Sequence, residues 1–179
     1  MKDYYHEEKE FALAGIEKDI FISAMCGLCN DDEVTHYMVN GLYPGNREQI
    51  GKLYDDAVSG RHVVFAVIDK KARTVYGFVG LYEIQWQPRF AEFRIILDRK
   101  LWGRGIGTAI AVFVVSYAFE RLNLNKVWLG VNEENKRALQ SYEKAGFKKE
   151  GVLREEVYRN NRYYNAIRMS ILRSDYEHS

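Results

Sequence analysis

Between Leu101 and Leu122 the chain reads LWGRGIGTAIAVFVVSYAFERL, with Gly103, Gly105 and Gly107 alternating directly ahead of an apolar run. Glycine is favoured where the backbone takes a positive φ or where another group must come close to it. Ile106, Ile110, Phe113, Val114, Tyr117 and Leu122 recur at helical spacing, which predicts a helix opened by the glycine loop. The first amides of a helix have no carbonyl partner, and the helix dipole favours negative charge beside them. The pattern therefore predicts an anion site suited to phosphate. A nucleotide-triphosphate loop would end Gly-Lys-Ser/Thr, whereas Gly107 is followed by Thr108 and Ala109. The dinucleotide fingerprint has a different glycine spacing and follows the first strand of its fold. A tight strand-to-helix turn with no ligand is the remaining alternative.

Such a loop needs a strand to deliver it and a sheet to hold that strand. RFAEFRIILD is that strand, and RHVVFAVID with TVYGFVGLYEI reads as an antiparallel hairpin ahead of it, joined by DKKART. EFALAG is a short first strand, and a helix from Asp19 to Cys29 follows, with Asp31, Asp32 and Glu33 at its end. Asn46 and Gln49 resemble a capping box, which predicts a second helix running to Val58. Beyond the glycine helix, NKVWLGV is a strand and NEENKRALQSYEKAG a helix stopped by Gly146. The remainder is a hairpin turning at Asn160 and Asn161, residues that tolerate left-handed backbone. Strands first and strand–helix units later predict an α+β mixed sheet with helices packed on it, one domain over residues 1–179.

With 26 basic and 25 acidic residues, no net field draws the chain to nucleic acid or an anionic membrane, and no basic block supplies a local one. No signal core or membrane span is apparent, so a cytoplasmic protein is expected. Cys26 and Cys29 form CGLC, readable as a redox motif, half a zinc site, or two small apolar residues of a helix; the last reading is adopted. His6, His36, His62 and His178 are scattered without ligand spacing, and no metal is expected.

WGRGIGTAI after AEFRIILD, followed by VWLGVNEENKRALQSYEKAGFKKEG, resembles the coenzyme A-binding half of the GNAT N-acetyltransferases. NDDEVTHYM, WQPRFAEF and LREEVYRNNRYYNAIRMSIL are similar to the branch that holds ribosomal-protein alanine acetyltransferases and spermidine acetyltransferases. The resemblance implies the GNAT fold, a mostly antiparallel sheet with two splayed strands. It also implies acetyl-CoA as acetyl donor, with its diphosphate on the amides of Gly103, Arg104, Gly105, Gly107 and Thr108, and a charge-assisted contact from the Arg104 side chain. Two departures stand out. Trp102 occupies a place where the family carries Gln or Arg, and Leu13-Ala14 replaces the branch's Leu-Arg.

The resemblance further implies that Ile95, Ile96 and Leu97 pair their main chain with the pantetheine arm, an N–H near Leu97 receiving the oxyanion. It makes Asn132 and Asn135 pantetheine contacts and Tyr142 the acid that protonates the departing thiolate. An acceptor ammonium must lose a proton before it attacks. Strand alternation aims Glu92 opposite to Ala91 and Phe93, and relatives of the spermidine type carry Glu there, so Glu92 is the candidate base. A surface ion pair with Arg89 or Arg94 is its alternative. Asp32, Glu33 and Glu83 are candidate acceptor contacts, and Tyr82, Trp86, Phe90 and Phe93 either line an acceptor slot or simply pack. The acceptor is expected to be a primary amine of a protein N-terminus, a polyamine or an amino sugar. A non-catalytic coenzyme A-binding module and an unrelated anion-binding scaffold are the competing functions. Strand exchange by the C-terminal hairpin leaves a homo-oligomer open.

Overall fold

A computed structural model describes residues 4–38 and 43–177. Its strands are β1 (His6–Glu7), β2 (Phe11–Ala14), β3 (Val63–Asp69), β4 (Thr74–Gln85), β5 (Phe90–Leu97), β6 (Lys126–Asn132), β7 (Lys148–Arg159) and β8 (Arg162–Leu172). Its helices are α1 (Lys18–Cys29), α2 (Asp32–Thr35), α3 (Arg47–Ala57), α4 (Ile106–Glu120), α5 (Lys136–Lys144) and α6 (Arg173–Tyr176). The strands form one eight-stranded sheet ordered β1-β2-β3-β4-β5-β6-β8-β7. Every neighbouring pair is antiparallel except β5 with β6, which run parallel.

Strand alternation sends apolar side chains to both faces of this sheet, so each face carries its own core. On one face Leu81, Ala91, Phe93, Val127 and Met169 pack with Ile110, Val114 and Phe119 of α4. On the other, Phe78 and Ile96 meet Phe21, Ile22 and Met25 of α1 and Ile50 of α3, with the rings of Phe21 and Phe78 4.6 Å apart. Truncating a fully buried ring such as Phe78 to Ala costs about 3–5 kcal/mol. Gly77 and Gly80 let the hairpin lie flat: a β-carbon on either would come within 2.4 Å of a facing carbonyl oxygen.

Local sequence rules account for most boundaries. Asn46 Oδ1 accepts the Gln49 N–H at 2.9 Å and starts α3. Gly146, at φ 94°, follows α5. Asn160 and Asn161, at φ 51° and 60°, supply the two left-handed residues of a tight hairpin turn. The acidic run departs from expectation. Asp31, Asp32 and Glu33 do not end the first helix but begin α2, because the Asp31 carboxylate bonds forward to the amides of Glu33 and Val34 at 3.0 and 3.2 Å. The two-residue β1 was not anticipated. Cys26 and Cys29 both lie on α1, and burial pushes the Cys29 thiol pKa up. His178 falls outside the described residues. Among those described, no helix is long and apolar enough to cross a membrane.

Candidate active site

Strands β5 and β6 share only three rungs, Phe90 with Lys126, Ala91 with Val127 and Glu92 with Trp128. Past them the ladder ends: among the described residues Arg94 to Leu97 has no rung on that side although β6 continues to Asn132, so a wedge opens between the strands. The Asp98 N–H reaches the Tyr76 carbonyl, and the Ile96 carbonyl lies against Gly77. Alternation then turns the main chain of Ile96 toward β4 and that of Phe93, Ile95 and Leu97 toward the wedge. This corrects the expectation for Ile96, whose main chain serves the sheet; Ile95 and Leu97 face the gap as expected. The Leu97 carbonyl already accepts the Trp102 indole N–H at 3.0 Å.

The glycine loop closes one end of the wedge. Gly103 and Gly105 have φ 71° and 75°, and a β-carbon on either would meet nothing within 4 Å. Gly105 caps α4, and the first amide there to find a carbonyl is Ala109, on Gly105 at 3.1 Å. Among the described residues the amides of Gly103, Arg104, Gly105, Ile106, Gly107 and Thr108 make no hydrogen bond. An unbonded turn opening a 15-residue helix into free space has the geometry of an anion cradle. The Thr108 hydroxyl is engaged with Ser141 Oγ at 2.8 Å, which ties α4 to α5 and leaves the Thr108 amide for a ligand.

Arg104 behaves otherwise than expected. Its guanidinium turns away to Glu10 at 3.1 Å and the Lys100 carbonyl at 3.2 Å, with Asp69 at 3.9 Å. Carboxylates of the β2–β3 end hold it there, so only its main chain is available to the cradle. Sequence reasoning overlooked Arg137 on α5. Its guanidinium stacks on the Trp102 ring at 3.5 Å, and burial lowers its pKa. Arg137 makes no ion pair with a described carboxylate, and its stack spans from α5 to the residue ahead of the glycine loop. That pairing joins residues 35 positions apart, so no local pattern announces it.

On the opposite wall, Asn132 is 4% exposed; its Oδ1 accepts the Glu134 N–H at 2.9 Å and its Nδ2 has no partner among the described residues. A buried amide without a partner calls for one, and it stands at the end of the strand that parts from β5. Asn135 caps α5, accepting the Ala138 N–H at 3.2 Å. Tyr142 packs edge-on against Phe93 with centroids 5.9 Å apart, and its hydroxyl makes no hydrogen bond with a described residue. Burial pushes its pKa up to about 12, so the phenol keeps its proton.

Glu92 leaves β5 on the face opposite to Tyr142, since its neighbours Ala91 and Phe93 both point into the α4 core. Its side chain is 18% exposed and pairs with Arg94 Nη2 at 2.6 Å. Tyr82, directly across from Glu92 on β4, is half-buried, and desolvation pushes its pKa up to about 12. The next residue, Glu83, sits on a bulge at φ 49°, with its N–H on His62 Nδ1 at 3.0 Å. The three expected acceptor carboxylates do not converge. Glu33 is held by Arg99 at 2.8 Å beyond the C-terminal end of β5, and exposed Asp32 lies beside it in sequence. Glu83 stands near Glu92 instead, next to its cross-strand partner Tyr82, whereas the Arg99 end that holds Glu33 lies beyond Leu97, five strand positions or roughly 16 Å along β5 from Glu92. Of the aromatic group, Phe93 packs in the core and Trp86 is exposed. A cavity of about 250 Å³ lies between α1 and β4, bordered by Asp31, Tyr76 and Asp98.

A parted pair of strands, an unbonded amide loop and a neutral phenol at the vertex form a scaffold for gripping an acyl carrier. Residues 17–148 match the model of the acetyltransferase (GNAT) domain. The chain is 38% identical over 152 residues to a spermidine N(1)-acetyltransferase of Escherichia coli strain K12, covering 83% of this chain and 79% of that protein. It is 35% identical over 129 residues to the Vibrio cholerae spermidine N(1)-acetyltransferase, covering 72% and 75% respectively. The crystal structure of the Vibrio cholerae spermidine N-acetyltransferase in complex with CoA and spermine superposes with a TM-score of 0.86 at 31% identity, over 95% of this chain and 99% of that one.

The chain belongs to the GNAT acetyltransferase family. It is an acetyl-CoA-dependent N-acetyltransferase acting on a primary amine.

Proposed function

We propose that the acceptor is a polyamine and that the transfer is direct, within a ternary complex at the wedge. The spermidine acetyltransferase relatives, similar along most of their length, support the polyamine. The single observation that carries the mechanism is the wedge vertex, where Glu92 and the Phe93–Tyr142 contact lie on opposite faces of one strand. Residues on the two sides of the gap can thus act on the two partners of one reaction.

The cradle amides and the unpartnered Asn132 Nδ2 fit the diphosphate and an amide carbonyl of the donor. Glu92 takes a proton from the acceptor ammonium, directly or through water. The freed lone pair then attacks the thioester carbon. Main-chain N–H groups of Ile95 and Leu97, turned to the gap, receive the oxygen as its charge develops. As the carbon–sulfur bond breaks, Tyr142 delivers its proton to the sulfur. A phenol with a pKa of about 12 is neutral at any working pH, as this donation requires.

A second reading draws on a specific observation. The Nε atoms of Arg159 and Arg168 are buried without partners among the described residues, and Arg168 stacks on Trp128 at 3.9 Å in the last shared rung. These cations favour an amine that carries a carboxylate or phosphate, as a nucleotide-linked amino sugar does. A thiol-release screen with acetyl-CoA against spermidine, spermine, amino sugars, sugar nucleotides and N-terminal peptides separates the two, with products identified by mass. Monoacetylated spermidine is the expected result. If coenzyme A binds while every polyamine stays unmodified, the polyamine assignment fails.

A further inference from the structure

Glu92 and Arg94 are two residues apart on β5 and so share a face, the one turned away from the α4 core. The Arg94 guanidinium touches Glu92 at 2.6 Å and stands over the Tyr82 ring with 4.9 Å to its centroid. Glu83 adds to the negative potential around it. Behind Tyr82, the His62 ring lies 5.1 Å away, bonded in turn to Asp56 at 3.1 Å. A carboxylate beside an aromatic face is how proteins receive an alkylammonium. Here that seat adjoins the vertex of the wedge, and the chain's own guanidinium fills it. The Arg94 side chain is 53% exposed, so solvent and ligand can both reach it.

We propose that Arg94 is a resident stand-in for the acceptor ammonium, occupying the cation seat of Glu92 and Tyr82 in the free enzyme and yielding it when an amine binds. This rests on the reading of Glu92 as base. A guanidinium does not give up its proton at working pH, so Glu92 paired with it has nothing to abstract from its partner. The device has two consequences. Acceptors must outcompete an internal cation, which raises the concentration at which they saturate. Water at the vertex is also denied an unoccupied carboxylate, which restrains hydrolysis of the donor. In that side reaction a water oxygen bonds to the thioester carbon and one of its protons passes to Glu92. The carbon–sulfur bond then breaks and the sulfur takes the Tyr142 proton, and the remaining water proton, carried by the new carboxylic acid, returns to the Tyr142 phenolate, leaving acetate and free thiol.

The test compares wild type with Arg94→Gln and Arg94→Lys in the full chain, after melting temperature and coenzyme A affinity verify that each variant is folded. Arg94→Gln is expected to lower KM for spermidine by roughly 3- to 10-fold with little change in kcat. It is also expected to raise acetyl-CoA hydrolysis without amine several-fold, while Arg94→Lys restores both toward wild type. A rise in KM, a loss of kcat, or no change in either reaction with Arg94→Gln would overturn the proposal. If wild type acetylates no amine at all, the polyamine reading has failed and the hydrolysis arm decides alone: an unaltered rate in Arg94→Gln refutes the stand-in.

Discussion

The ring of Tyr142 stands edge-on to Phe93, their planes at 80°, and Phe93 is the first residue of β5 beyond its last rung with β6. The contact joins the helix that carries the phenol to the point where the sheet divides. A side chain on α5 is thereby registered to main-chain positions on β5, and the proposed proton donor and proposed oxyanion donors are held by one packing contact.

Removing the Tyr142 hydroxyl should therefore be a kinetic lesion and not a structural one. The ring makes the contact with Phe93 and the hydroxyl makes no bond with a described residue, so Tyr142→Phe keeps the packing. We expect kcat to fall about 10²- to 10⁴-fold, the range for loss of a general acid, with coenzyme A affinity within about 3-fold of wild type. Stopped-flow thiol release and calorimetry read the two separately.

The glycines of the loop should not be equivalent. Gly105→Ala forces a β-carbon into a left-handed residue at φ 75°, at a cost of about 1–2 kcal/mol, and disturbs the cradle. At Gly107 the same change meets Ser141 Oγ at 3.6 Å and Leu97 Cδ1 at 3.8 Å, ordinary contacts. Titration with coenzyme A should show roughly tenfold weaker binding for the first variant and a much smaller effect for the second.

Arg104→Ala should hardly change coenzyme A affinity, because its guanidinium is turned to Glu10 and Asp69. Arg137→Ala should weaken binding by several-fold, since it removes the uncompensated cation beside the loop. Equal losses in both variants would show that Arg104 swings back to the phosphates.

Alkaline stability should report the two desolvated phenols. Tyr82 and Tyr142 ionise near 12 in the folded protein, against about 10 when unfolded. Below pH 10 both states hold the proton and the full contribution is present. As pH rises from about 10 through 12 the unfolded chain alone releases it, and stability falls. The drop in melting temperature between pH 9.5 and 11.5 should be smaller in Tyr142→Phe than in wild type by a few degrees.

What was legible in the sequence was what local chemistry determines. Asn46 capping α3, Gly146 after α5, the Asn160–Asn161 turn and the glycine cradle each rest on a residue acting on its chain neighbours. The strand assignments followed from alternation, and the GNAT resemblance ordered them into a sheet. What escaped depends on partners distant in sequence. Arg104 turns from the cradle because Glu10, 94 positions earlier, lies across its path. Ile96 turns its main chain away from the gap because β4 claims it, a fact set by register. The acidic run of Asp31, Asp32 and Glu33 was visible, but whether it closes one helix or opens the next is settled by the Asp31 backbone, at φ −94° and ψ 110°.

The three-rung junction between β5 and β6 also governs how the molecule coheres. Five strands lie on one side of that seam and three on the other, joined along the sheet by a short stretch of backbone pairing. A donor lying in the gap would lace the two leaves together with its own amide groups. The bound thioester would then act as a missing length of strand, so that emptying the site loosens the sheet at the place where the next donor must enter.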